Sequence, residues 1–152
     1  MGVCEVENFF KEKNIKKQII FLDESSATVP LAAKALGIEE ARIAKTLAFN
    51  GKEESLVVVA RGTAKIDNGK YKATFGTKAK MMSFEETLEK TGHPVGGVCP
   101  FGLPEEVAVY LDESLKEFDS VYPAAGGNHT AVEMTPGELE ELTGGTWVDV
   151  CK

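Results

Sequence analysis

The feature that most constrains the fold is a pair of apolar runs, residues 45–49 and 55–60, flanking Asn50-Gly51. Asn-Gly readily takes up the positive-φ conformations of a tight reversal, so the two runs are expected to pair antiparallel. Lys52, Glu53 and Glu54 lengthen the connection beyond two residues. On either side of this hairpin, short helical and strand patterns alternate. Val3, Val6, Phe9 and Phe10 recur at helical spacing, predicting a helix to about Asn14. Residues 18–22 read as a strand. Thr28 is a candidate N-cap with Pro30 in the first turn, opening a helix that stops at Gly37.

Further on, residues 67–75 predict a short helix and 78–82 a brief strand. Ser83-Phe84-Glu85-Glu86 resembles a capping box and opens a helix towards Gly92. Residues 107–111, 120–124 and 130–134 predict strands, the last two parted by Gly126-Gly127-Asn128. Thr135 caps a helix from Pro136 to near Gly144, and residues 147–150 close the chain as a strand. The expected class is α+β: a mixed, mostly antiparallel curled sheet or partial barrel with surrounding helices, in one domain spanning residues 1–152.

Composition narrows the functional classes. With 152 residues, 43% hydrophobic and 27% charged, the chain can bury a core without metals or disulfides. No apolar run is long enough to span a bilayer and the N-terminus lacks a signal-peptide pattern, so no membrane partner and a cytoplasmic location are expected. Three cysteines, Cys4, Cys99 and Cys151, give an odd count without Cys-x-x-Cys spacing, which favours a reducing compartment. A net charge of −7 argues against broad nucleic-acid binding, because counterion release needs many Lys and Arg contacts. It is compatible with holding only the end of a nucleic acid. Basic residues cluster at Lys11, Lys13, Lys16 and Lys17, which read as a solvated face, and again at Lys65, Lys70, Lys72, Lys78 and Lys80.

Two elements carry candidate chemistry. Lys45 follows an amphipathic segment and opens an apolar run, so a cation stands at the mouth of a strand where it can grip a phosphate. The alternative is a surface lysine whose stem covers apolar area. The second element is Gly92-His93-Pro94-Val95-Gly96-Gly97-Val98-Cys99-Pro100-Phe101-Gly102, whose glycines and prolines fix an irregular backbone that can bring amide N–H groups to a ligand. His93 and His129 are the only imidazoles, and no zinc-ligand spacing is present. No nucleophile elbow, phosphate-binding loop or dinucleotide fingerprint occurs, so no metal or cofactor is expected. Cys99 reads as a buried small hydrophobe ahead of a nucleophile. There remain an anchor cation, an amide-bearing loop and a small pocket without an obvious general base.

The sequence resembles the YbaK/ProX family, also described as the editing domain inserted in some bacterial prolyl-tRNA synthetases. The matching stretches are Ser26-Ala27-Thr28-Val29-Pro30, Ala33-Lys34-Ala35-Leu36-Gly37, Ala44-Lys45-Thr46-Leu47, Val57-Val58-Val59-Ala60 and the run from Gly96 to Gly102. Val109-Tyr110-Leu111-Asp112-Glu113, Ala125-Gly126-Gly127 and Glu133-Met134-Thr135-Pro136 continue them in order along nearly the whole chain. The resemblance implies hydrolysis of aminoacyl-tRNA carrying the wrong amino acid, most often on the tRNA for proline, with prolyl-tRNA synthetase as a further expected partner. It assigns Lys45 to the phosphate or ribose of the terminal adenosine. It assigns Gly96, Gly97, Val98, Cys99 and Pro100 to a Gly-x-x-x-Pro loop whose amides face the ester carbonyl and the attacking water.

The implied pocket walls are Phe21, Thr28, Thr46, Val95 and Gly96, with Phe101 and Gly102 continuing the loop and Ala125 and His129 on later strands. Lys45-Thr46 is similar to the branch associated with cysteine removal. Ala125 and Val132 are apolar where such members often carry polar or acidic groups, so the resemblance defines the reaction class and leaves the amino acid open among Cys, Ala or similar small residues. His129 is read either as a specificity residue or as an imidazole bonded to the Gly126-Gly127 turn. Arg61 and Lys65 are read as acceptor-stem contacts or a solvated loop. The short chain favours action in trans. Competing readings are a module that binds an aminoacyl-adenosine end without turnover and regulates a synthetase, and a thiol enzyme built on Cys99.

Overall fold

The computed structural model describes residues 2–152. In chain order the elements are α1 (Val3–Glu12), β1 (Ile20–Phe21), α2 (Val29–Leu36), β2 (Ile43–Asn50), β3 (Ser55–Arg61), α3 (Asn68–Phe75) and α4 (Phe84–Thr91). They continue with β4 (Val107–Asp112), β5 (Tyr122–Pro123), β6 (Thr130–Ala131), α5 (Pro136–Thr143) and β7 (Thr146–Val148). The helices α2 to α5 start where their capping residues dictate. Thr28 accepts a hydrogen bond from the Leu31 N–H at 3.3 Å, and Asp67 caps α3 through the Lys70 N–H at 3.0 Å. Ser83 and Thr135 form full capping boxes with Glu86 and Glu138. Among the described residues, no helix is long and apolar enough to cross a membrane.

β2 and β3 form the expected hairpin, antiparallel from Ala44↔Arg61 to Asn50↔Ser55. They occupy the middle of a five-stranded sheet of order β5-β2-β3-β4-β7. The sheet is mixed and open, but parallel pairing dominates it, which corrects the expectation of mostly antiparallel strands: β2–β5, β3–β4 and β4–β7 are all parallel. After β3 the chain passes through α3 and α4 before β4 begins. A crossover of that length lets the next strand enter in the same direction, whereas a tight turn cannot. The run at 18–22 contributes only Ile20–Phe21, paired with β6 as a separate two-stranded sheet. The run at 78–82 contributes a single bridge, Phe49↔Met81.

Alternation along β3 sends Leu56, Val58 and Ala60 to one face and Val57 and Val59 to the other, and both faces are buried. On one side α3 supplies Tyr71 and Phe75, with Val150 and Cys151 from the C-terminal segment. On the other side α1 supplies Val6 and Phe10, the glycine-rich loop supplies Cys99 and Phe101, and α5 supplies Leu139. Leu111, Leu115, Met134 and Leu139 are fully buried there, so truncating any of them costs about 2–5 kcal/mol.

Candidate active site

A cavity of about 420 Å³ opens beside β2, within the size range of small-molecule sites. Its existence follows from how β2 is flanked. On the edge away from β3, β5 pairs only with Ile43 and Ala44. Further along the same edge the Met82 N–H donates to the Ala48 carbonyl at 3.0 Å and the Asn50 N–H to the Lys80 carbonyl at 2.8 Å. Strand alternation turns the Thr46 N–H and C=O to that edge too, at the one position between these two sets of partners. The backbone edge of Thr46 therefore faces the cavity.

The polar side chains of the lining divide sharply. Ser26 and Thr130 bond to one another, the Thr130 N–H donating to Ser26 Oγ at 3.2 Å and Ser26 Oγ to the Thr130 carbonyl at 3.4 Å, while Thr130 Oγ1 donates to the Gly127 carbonyl at 2.8 Å. Thr28 is occupied as a cap, Thr87 Oγ1 donates to the Ser83 carbonyl at 2.8 Å, and Tyr122 Oη donates to Glu133 at 3.2 Å. Thr46 Oγ1 is buried without a partner. An unpaired buried hydroxyl costs about 1–3 kcal/mol, so Thr46 stands out in the lining as the residue with an unsatisfied side chain. The lining contains no Asp, Glu, His or Cys, and among the described residues no cluster of three or more such groups could hold a metal.

The glycine-rich loop is split by the same geometry. Val95, Gly96 and Val98 line the cavity, whereas Cys99 and Phe101 are fully buried in the core. Phe101 packs against Phe10 with ring centroids 5.2 Å apart, and Pro100 and Gly102 border a separate cavity near Phe9. Gly97 is pinned: its N–H donates to Pro94 at 2.9 Å and its carbonyl accepts from the Gly126 N–H at 3.0 Å. The N–H groups of Gly96 and Val98 have no partner among the described residues. Gly96 needs its glycine twice over, with φ at +95° and the Ala27 Cβ only 3.1 Å from where a side chain would begin. Burial pushes the Cys99 thiol up to about 12, which keeps it protonated and inert.

His93 holds the loop from within. It is fully buried, its Nε2 donates to the Phe101 carbonyl at 2.7 Å, and the Cys99 Sγ lies 3.6 Å from the same nitrogen. One imidazole thus bridges the two ends of the segment that walls the cavity. Its Nδ1 is buried without a partner. Burial lowers its pKa, against smaller raising effects from the Phe101 carbonyl and Glu5.

Lys45 borders the cavity, but alternation carries its side chain to the face shared with Leu47 and Phe49, and its ammonium donates to the Ala64 carbonyl. Desolvation lowers its pKa; the Cys151 thiol opposes this, and Lys65 and Arg61 reinforce it. Of the other residues named from the sequence, Thr28, Thr46 and Val95 line the cavity. Phe21 is 65% exposed on β1 and lies outside it. Ala125 is sealed in the core, and His129 is exposed with Nδ1 against Asn128 Oδ1 at 2.7 Å. Arg61 is bonded to Glu117. Sequence reasoning missed Met81, Met82, Phe84, Thr87, Tyr122 and Ala124. The signal for Phe84 was present, as a large aromatic at the first helical position after a capping serine.

The fold agrees with the comparisons to known proteins. The sequence signature of the aminoacyl-tRNA editing domain matches residues 23–142, and the chain belongs to that family. It is 47% identical to the uncharacterized protein YwhH of Bacillus subtilis (strain 168), over all of this chain and 98% of that one. It is 30% identical, over 84% of this chain and 79% of the relative, to an Enterococcus faecalis (strain ATCC 700802 / V583) protein, EbsC, named as a candidate Cys-tRNA(Pro)/Cys-tRNA(Cys) deacylase. Among solved structures, one described as a candidate trans-editing enzyme for prolyl tRNA synthetase superposes with a TM-score of 0.91 at 30% identity, covering 99% of this chain and 97% of that one.

Proposed function

We propose that this protein hydrolyses, in trans, the ester that joins a small amino acid to the terminal adenosine of a mischarged tRNA, the tRNA for proline being the first to test. The observation that carries this reading is a cavity whose lining holds no Asp, Glu, His or Cys but has open hydrogen-bonding groups, the Thr46 edge and hydroxyl and the Gly96 and Val98 amides. An aminoacyl ester is already activated, so oriented dipoles and a positioned water supply much of what its hydrolysis needs.

In this mechanism water adds to the ester carbonyl carbon while the Gly96 and Val98 N–H groups stabilise the charge developing on the carbonyl oxygen. The neighbouring ribose hydroxyl relays the water's proton to the departing ribose oxygen, leaving free amino acid and uncharged tRNA. Thr46 receives the polar groups of the aminoacyl or ribose unit. Lys45 exchanges the Ala64 carbonyl for a phosphate by swinging around the open edge of β2.

The test is a panel of cysteinyl-, alanyl- and seryl-tRNA incubated with wild-type protein and Lys45→Ala. Ester loss with the wild type, reduced ten-fold or more in the variant, is expected. Tight binding with no hydrolysis on any member would replace the enzyme with a binding module.

A further inference from the structure

Large exposed apolar side chains are concentrated around the mouth of the cavity. Met81 is 63% exposed, Phe84 71% and Val95 43%, and all three line it. Phe84 opens α4, and Met81 lies just before it on the segment that bridges to β2. Exposed Lys78 and Lys80 stand on that same segment, in a chain whose net charge is −7. Clustered exposed apolar area marks a binding surface. Apolar planes beside cations on an otherwise acidic protein fit a ligand with flat faces and an anionic backbone.

We infer that Phe84, backed by Met81, is a stacking platform for the unpaired nucleobases at the 3′ end of the tRNA, with Lys78 and Lys80 beside their phosphates. The inference rests on the proposed function, because the platform adjoins the cavity assigned to the aminoacyl ester. Single-stranded ends are held in this way, by base stacking on aromatic side chains along a cationic track. Glu85 and Glu89 are exposed on the same short helix and repel an anionic backbone, so the phosphates are expected on the Lys78 and Lys80 side of Phe84.

The experiment measures KM and kcat for deacylation of cysteinyl- or alanyl-tRNA by wild type, Phe84→Ala and Phe84→Trp, together with direct binding of a CCA trinucleotide. Loss of one stacked base raises KM, and weakens trinucleotide binding, by about 5- to 150-fold. Phe84→Ala is expected to show this with kcat within about two-fold of wild type and an unchanged melting temperature. Phe84→Trp is expected to restore both constants. Unchanged KM and trinucleotide affinity in Phe84→Ala would overturn the platform while leaving the deacylase reading intact. If the wild type hydrolyses no ester, the deacylase reading fails, and the trinucleotide titration still decides the platform. A KM defect that Phe84→Trp does not rescue also overturns it, since stacking tolerates any aromatic plane.

Discussion

Replacing His93 with glutamine tests whether the wall of the cavity is held from inside by a neutral imidazole. The ring is fully buried, and burial lowers its pKa below the ordinary value of 6.5. Below pH 6.5 the unfolded chain takes up a proton that the folded chain resists, so the unfolded state binds more protons and stability decreases as the pH is lowered. The loss begins near pH 6.5, continues down to the folded-state pKa and then levels off. Its slope cannot exceed about 1.4 kcal/mol per pH unit for one group. For a chain of this size, 1 kcal/mol corresponds to about 2–4 °C in melting temperature. Urea unfolding followed by the fluorescence of the single tryptophan, Trp147, measures it between pH 5 and 8. His93→Gln retains a donor for the Phe101 carbonyl and lacks a titrating ring, so its stability should be flatter than the wild type's across that window. His129 is common to both proteins and cancels in the difference. Identical pH profiles for the two proteins would refute the claim that a neutral His93 holds the wall of the cavity.

Two further outcomes follow from buried groups. Thr46→Val removes the unpartnered hydroxyl at nearly constant volume, so the variant is expected to be as stable as the wild type or up to about 2 kcal/mol more stable, while deacylation falls at least several-fold; calorimetry and the aminoacyl-tRNA assay read the two effects separately. In alkylation of native protein followed by mass spectrometry, exposed Cys4 should react first, with Cys99 and Cys151 labelled only after unfolding. Rapid native labelling of Cys99 would reinstate the thiol mechanism.

Local chemistry made much of the fold legible. The hairpin turn that follows Asn50, the Thr28, Ser83 and Thr135 caps and the glycines that end α2, α3, α4 and α5 are each set by one or a few neighbouring residues, and the elements they delimit formed nearly where expected. Strand direction was not legible. It depends on where the chain returns after α3 and α4, which no local pattern encodes, and it made β3–β4 parallel. The same limit applies to the loop from Gly92 to Gly102. Its residue types announced an irregular backbone, but only packing against Phe9 and Phe10 turns Phe101 inward and leaves Gly96 and Val98 at the cavity. Lys45 was recognisable as an unusual cation. The carbonyl that holds it, Ala64, lies across the hairpin and has no sequence signal.

The position of Thr46 explains why a cavity lies here at all. Its neighbours on the same face of β2 belong to different parts of the core, Ala44 to the cluster around Phe101 and Ala48 to the one containing Val57 and Met82. Between them the strand has lost β5 and has not yet met the segment around Met82, so neither side chains nor backbone close the gap. A longer β5 would pair with Thr46, satisfy its edge and fill the space. The two-residue length of β5, ending at Pro123, is therefore what leaves the Thr46 edge open. The Pro123 carbonyl is engaged on the other side, accepting from the Val132 N–H at 3.0 Å, so past Ala44 the chain leaves the edge of β2 for the segment around β6.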